Sequence, residues 1–394
     1  MKIIHGYVYT ENAGFVQKDI QIQDNLIVSC GGMEEVSGTE EVLDAKDCYV
    51  LPGLTDIHFH GCVGYDFCDG TIEGLKAMAS YQASVGVTSI IPATMTLPEE
   101  ELVTVCKTVA VFAKEQQDTV SAITSNEEMQ NCEMATLCGI NMEGPFVSEK
   151  KLGAQNAAYL KEPDQKLFDR LQRACGGLIK MVDLAPELPG AMEFIRRNAQ
   201  KVILSLAHTA ADYDTAKEAF GAGACHVTHL FNAMTPFEHR QPGVIGAAVD
   251  EGAYAELICD GVHVHPSMIR SALKLFGEDR IIFISDSMMA TGLSDGDYSL
   301  GKQAVKVKGR VAYLQDGTIA GSVSNLMECM RRAVLEMNIP LETAVKCAAV
   351  NPAKHMGLYD KYGSIEPGKI ANLVLLDKES LEVKLVILNG RCLK

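Results

Sequence analysis

Apolar and polar positions alternate along the first fifty residues. "KIIHGYVYT", "FVQKDIQIQDNLIVSCGG" and "EVLDAKDCYVLPG" carry apolar side chains at about every second position, with Gly, Asn and Asp between the runs. A period of two belongs to a half-buried strand, so these segments predict short strands joined by turns. The same texture returns at the other end, in "GSIEPGKIANLVLLD" and "LEVKLVILNGRCLK". Between them the pattern changes. Apolar runs of strand length follow one another: "TSIIPAT", "LCGINMEGPF", "LIKMVDLAPE", "KVILSLAHT", "CHVTHLFNAM", "YAELICDGVHV" and "RIIFISDS". They alternate with stretches whose apolar residues recur at three-to-four spacing. That spacing predicts helices over Ile72 to Val85, Glu99 to Gln116, Asp164 to Cys175, Asp212 to Gly221 and Pro266 to Phe276. Asp164 and Asp212 stand where N-caps belong.

Strand and helix in alternation over roughly 300 residues predict an α/β fold, a parallel sheet with helical crossovers. A (β/α)8 barrel needs ~250 residues plus insertions, which fits. The rival, a doubly wound open sheet, would carry a G-x-G-x-x-G turn after its first strand, and none is present. The two flanking β segments pair as one small β-sandwich domain, which brings the chain ends together. The expected division is 1–52 for the first part of that domain, 53–360 for the barrel and 361–394 for the second part.

Composition narrows the function. The chain has 394 residues, 47% hydrophobic and 22% charged, ordinary for a globular protein with a large core. A net charge of −16 argues against nucleic acid or an anionic membrane surface as partner, because both want a basic face. No segment approaches the roughly 20 uninterrupted apolar residues of a membrane span. The start lacks a secretory apolar stretch, since His5, Tyr7 and Glu11 interrupt it. The 13 cysteines are odd in number and lack a C-x-x-C pair. They read as reduced thiols in a cytoplasm rather than a disulfide scaffold.

The polar residues that end the apolar runs carry the chemistry. "PGLTDIHFHG" ends in His58 and His60, "GINMEG" in Glu143, "ILSLAHT" in His208 and "IIFISD" in Asp286, while "HVTHLFN" carries His229. In a strand, residues i and i+2 share a face, so His58 and His60 project side by side about 6–7 Å apart. The C-terminal ends of barrel strands are where barrel active sites lie. Six ionisable groups gathered there are costly to bury without a cation. Imidazole and carboxylate without thiolate suit a catalytic divalent metal, Zn, Fe, Mn or Co, and their number suits one or two ions per chain. Glu143 is able to bridge two ions. Asp286 is able to bind one, or to act as general base on metal-bound water.

Together "PGLTDIHFHG", "NMEGPF", "LAHT", "THLFNAM", "HRQPG", "ICDGVHVHP", "ISDSMMATG" and "TIAGS" resemble the N-acetylglucosamine-6-phosphate deacetylases of the amidohydrolase superfamily. The resemblance covers essentially the whole chain, including "NPAKHMGL" and "GSIEPGKIANLVLLD". It implies that Glu143, His208 and His229 are the main metal ligands and that His58 and His60 hold a second ion. It implies Asp286 as the catalytic acid/base. It assigns Asn232, Ala233, Arg240 and His263 to the sugar phosphate, and Ala154 and Gln155 to a further substrate segment. Some members carry His where this chain has Gln155. Ile319, Ala320 and Gly321 match a loop that closes over the substrate, and Lys151 is a further candidate near the phosphate. The implied reaction is metal-dependent removal of the acetyl group from an amino-sugar phosphate, by a homodimer whose phosphate contacts lie near the subunit boundary. The galactosamine epimer is the alternative substrate. A cyclic amidase of the same superfamily is a more distant alternative, because its usual bridging lysine is replaced here by Glu143.

Overall fold

Apolar runs bounded by turn residues become parallel strands here because both faces of each run are covered, one by helices and one by the barrel interior. The structure is a computed structural model and describes residues 1–31, 41–122 and 133–393. Among the described residues, eight barrel strands alternate with eight helices. The strands are β1 (Leu54–Asp56), β2 (Val87–Ile90), β3 (Ile140–Glu143), β4 (Ile179–Leu184), β5 (Ile203–Leu206), β6 (His226–Val227), β7 (Tyr254–Ile258) and β8 (Ile281–Ile284). The helices are α1 (Ile72–Ser84), α2 (Glu99–Ala122), α3 (Gln165–Ala174), α4 (Ala191–Asn198), α5 (Tyr213–Ala222), α6 (Gly243–Asp250), α7 (Pro266–Phe276) and α8 (Leu326–Leu335). The side-chain carboxylates of Asp164 and Asp212 cap α3 and α5, as their position in the sequence predicts. Helix α2 runs past Gln116, where the spacing stops predicting it.

Strands β3 to β8 pair in order and in parallel, and β1 pairs with β2. Two junctions close the ring. Asn141 of β3 exchanges backbone hydrogen bonds with Pro92 and Thr94, just beyond β2. Across the last seam the Asp286 N–H donates to the His58 carbonyl at 2.9 Å. The interior holds an apolar cluster of Ile57, Ile91, Met181, Ile258, Ile282 and Ile284. The barrel expected from the alternation is therefore present.

The chain ends build the β domain. Strand Cys48–Pro52 lies between Tyr7–Thr10 and Leu373–Asp377 in one six-stranded sheet. A four-stranded sheet faces a shared core that includes Ile3, Ile20, Ile22, Val50, Leu373 and Ile387. In Asp19–Gln23 only Ile20 and Ile22 are buried, the period of two seen in the sequence.

One element was not predicted. Between β8 and α8 lies a four-stranded antiparallel sheet, Gly296–Leu300, Gln303–Lys308, Val311–Tyr313 and Ile319–Ser322. Its signal is the alternation in "QAVKVK", where Val305 and Val307 are buried and the flanking Ala304, Lys306 and Lys308 are exposed. Among the described residues no helix is long and apolar enough to cross a membrane.

The closing seam carries a buried carboxyl. Asp56 is fully buried, and burial pushes its carboxyl up to about 7 against the hydrogen bonds from Ser285 and His58. The Ser285 hydroxyl donates to Asp56 Oδ2 at 2.5 Å. Removing that donor in Ser285→Ala should cost about 1–3 kcal/mol, since a buried carboxyl loses its shortest bond. Chemical denaturation reads this as a lower midpoint with an unchanged slope, and an unchanged midpoint would exclude this bond from the closure.

Candidate active site

The strands end on the residues singled out above. His58 and His60 lie just beyond β1 rather than within it, with ring centroids 5.3 Å apart. Glu143, the last residue of β3, lies between two histidine pairs. Its Oε2 is 3.7 Å from His58 Nε2 and 3.2 Å from His60 Nε2. Its Oε1 is 2.9 Å from His208 Nε2 and 3.2 Å from His229 Nε2. Asp286 Oδ1 is 3.2 Å from His60 Nε2 and 3.9 Å from His58 Nε2. All six side chains are buried.

Two observations test whether this cluster fits metal. His58 Nε2 is buried and has no hydrogen-bond partner. His208 Nε2 and His229 Nε2 lie 3.1 Å apart, both facing Glu143 Oε1, so their lone pairs converge on one point. A cation at each convergence satisfies these atoms. The triplets His58–His60–Glu143 and Glu143–His208–His229 each hold their ligand atoms within 4.8 Å of one another. Such buried His/Glu groups fit a binuclear metal site with Glu143 shared.

The backbone is bent to reach this arrangement. His208, His229 and Asp286 have φ of 43°, 31° and 48°, the left-handed region that side chains with a Cβ avoid. Each such residue costs of order 1–3 kcal/mol, and the three coincide with the chemistry. At Gly321, with φ +65°, an added Cβ would stand 3.1 Å from the Asp286 carbonyl oxygen, so this approach requires glycine.

Outer contacts fix three of the four histidine rings, while His229 Nδ1 has no hydrogen-bond partner. When Nε2 faces a metal, Nδ1 carries the proton and needs an acceptor. His208 Nδ1–H donates to the Lys151 carbonyl at 3.0 Å, His60 Nδ1–H to the Ala93 carbonyl at 3.3 Å, and His58 Nδ1–H to Glu256 Oε2 at 3.0 Å. The same Oε2 accepts the backbone N–H of His229 at 3.0 Å. Gln155 Nε2 donates to Glu143 Oε2 at 2.9 Å, while its Oε1 accepts from Thr96 N at 2.7 Å. Burial opposes the charge on Glu143, but the surrounding histidines outweigh it and hold the carboxyl well below its ordinary range. Asp286 follows the same pattern: burial raises it, and the hydrogen bond and close approach of His60, with His58 and His229 nearby, bring it below its ordinary value.

Above these ligands opens a cavity of roughly 260 Å³. Of the residues assigned to substrate, Ala154, Gln155, Asn232, Ala233, His263, Ile319 and Gly321 line it. Ala320 does not, because alternation along Ile319–Ser322 turns it to the buried face. Arg240 lies on an exposed loop outside the lining, with Nη1 2.6 Å from His239 Nε2. Lys151 also lies outside the lining, and brings to the site its carbonyl rather than its ammonium. His263 Nδ1 is 2.7 Å from Asp260 Oδ2; burial lowers its pKa, and the Asp260 bond and charge outweigh that and raise it. The sequence reading missed Glu256, Met95, Leu300 and Thr318. Glu256 had a signal, a lone carboxylate inside the apolar strand "YAELI".

Barrel, strand-end ligands and shared carboxylate together define a metal-dependent hydrolase of the amidohydrolase family, to which the chain belongs; the family's sequence profile matches residues 49–393. Within it the chain falls among the N-acetylglucosamine-6-phosphate deacetylases. It is 39% identical over 359 residues to that enzyme of Bacillus subtilis (strain 168), covering 89% of this chain and 86% of the relative. An N-acetylgalactosamine-6-phosphate deacetylase of Escherichia coli O157:H7 is 31% identical over 388 residues, covering 97% and 96%. The solved structure of a mutant N-acetyl-D-glucosamine-6-phosphate deacetylase of Mycobacterium smegmatis, in complex with N-acetyl-D-glucosamine-6-phosphate, superposes with a TM-score of 0.88. Its sequence is 30% identical, over 100% of this chain and 98% of that one.

Glu256 anchors one histidine from each triplet. In Glu256→Gln the amide keeps the size but removes the charge and one acceptor. Metal affinity should fall about 10–100-fold, the usual cost of altering an outer-shell partner. Titration with a competing chelator measures this, and wild-type affinity in the variant would show that Glu256 does not orient the ligands.

Proposed function

We propose that the chain hydrolyses the acetamido bond of N-acetyl-D-glucosamine 6-phosphate to D-glucosamine 6-phosphate and acetate. The observation that carries this reading is the Glu143 carboxylate between two histidine pairs, at the base of a cavity with Asp286 beside it. One or two divalent cations, Zn, Fe, Mn or Co, held by Glu143, His208, His229, His58 and His60, would polarise the acetyl carbonyl and acidify water. Asp286 takes the proton of the attacking water on its carboxylate and delivers it to the amine nitrogen, which leaves only when protonated. Gln155 keeps Glu143 aimed.

The phosphate end follows from charge. His263, whose pKa the Asp260 contact raises against burial, lines the cavity with the Asn232–Ala233 turn, whose backbone N–H groups suit an anion. Arg240, exposed and outside its own cavity, reaches the phosphate held by the other copy in a homodimer. The Ile319–Gly321 strand walls the sugar. With its thiols reduced, the enzyme works in the cytoplasm.

The galactosamine epimer is the second reading, because the relative acting on it aligns over nearly the whole chain. Amine release from the two epimeric substrates separates them. A higher kcat/KM for the glucosamine form is expected, and a preference for the galactosamine form would reverse the assignment.

Asp286→Asn should keep metal and substrate binding and lose about 10²–10⁴-fold in kcat. A variant with near-wild-type kcat would remove Asp286 as proton carrier. Metal content tests the pairing: about two ions per chain are expected from two ligand sets, and about one after His58→Gln with His60→Asn. A stoichiometry near one in both proteins would defeat the binuclear reading and leave the deacetylase assignment standing.

A further inference from the structure

The segment "NPAKHMGL" has no part in the chemistry above, yet it delivers a histidine to the base of the barrel. His355 ends the short helix Asn351–His355 and is half-buried. Its Nε2 lies 2.9 Å from Nδ1 of His226, the first residue of β6. The two rings stack at 4.8 Å and 19°, and the Tyr254 ring packs on His355 at 4.1 Å. His226 is fully buried, with Nε2 3.2 Å from Glu256 Oε1. That contact does not have hydrogen-bond geometry, so it is a charge–dipole approach, and neither atom has a hydrogen-bond partner. The other oxygen of Glu256 accepts from His58 Nδ1–H and the His229 N–H.

These contacts form one path down the barrel interior, from the ends of the strands to their beginnings. His58 belongs to one metal-ligating triplet and His229 to the other, so a single carboxylate steadies both. We propose that His226 and His355 are positioning residues for the metal centre: they fix Glu256, and through it one histidine on each side of Glu143. The inference rests on the binuclear reading of the site.

Proton positions follow in sequence. Metal on His58 Nε2 places its proton on Nδ1, which Glu256 accepts. An acceptor-only carboxylate then requires the proton of His226 on Nε2. His226 Nδ1 becomes an acceptor, and His355 Nε2–H donates to it. Burial lowers the pKa of His355 well below its ordinary value, which agrees with a neutral ring there. If His355 were instead only a stacking plug for the barrel base, any flat ring would serve. The two roles make different demands: the plug needs the ring, and the path needs the donor.

His355→Phe keeps the ring and removes the donor, and His355→Gln keeps a donor of similar reach and removes the ring. Affinities for Zn²⁺ and Mn²⁺ would be measured on the full chain by competition with a chromophoric chelator, alongside thermal melts of the metal-free protein. The Phe variant should bind both ions about tenfold more weakly, the low end for an outer-shell change, with an unchanged metal-free melt. The Gln variant should return most of that loss. If the Phe variant does not fold, His355→Leu tests the same lost donor. Wild-type affinity without the donor, or a loss that Gln fails to restore, would overturn the proposal. A wild-type chain that binds neither ion would instead overturn the metal-site reading itself.

Discussion

One buried carboxylate, that of Glu143, sets the problem that the rest of the barrel solves. A carboxylate taken out of water is expensive unless charge of the opposite sign meets it. Here each of its oxygens faces two imidazole nitrogens. Neutral imidazoles do not neutralise a carboxylate, and four protonated ones could not share so small a space. Cations resolve both demands at once, since they neutralise the carboxylate and use the imidazole lone pairs. The left-handed backbone at His208, His229 and Asp286 is the cost of pointing these groups inward from three different strands.

The ring of strands exists to hold those directions. Side chains at strand ends vary in direction with each strand's register, so the cluster depends on how the ring closes. The Asp286-to-His58 backbone bond joins two ligand-bearing segments directly. Gln155 braces Glu143 from the cavity side, and Glu256 braces His58 and His229 from below. The centre is thus gripped from both ends of the barrel axis, which suits chemistry that needs little movement of its ligands.

Much of this was legible in the sequence because it rests on periodicity. Strand-length apolar runs mark the barrel, and the polar residue ending each run marks the site, as His58, Glu143, His208 and Asp286 illustrate. Glu256 was hidden because its signal, one carboxylate in a buried strand, also fits an ordinary error in strand assignment. His226 and His355 stand 129 residues apart, and only the closed ring brings them to 2.9 Å. The antiparallel sheet between β8 and α8 was hidden for another reason: three of its strands run only five, three and four residues, too short for their alternation to stand out from the surrounding turns. Ala320 shows the limit of motif transfer, because a matched segment of three residues presents only two of them to the cavity.

An anionic substrate must also be reconciled with a chain of net charge −16. At long range such a field repels a sugar phosphate, so attraction has to be local. The cavity supplies it in two places. At its base the cations that the His/Glu cluster fits would bring positive charge, and at its side the bond and charge of Asp260 outweigh burial and raise His263 toward its cationic form. Within about 8–10 Å, the screening length at physiological salt, these near charges dominate and the distant surface carboxylates count for little. The acidic surface then costs the enzyme some rate of encounter and little affinity, and the same surface disfavours larger polyanions that would have to lie along it.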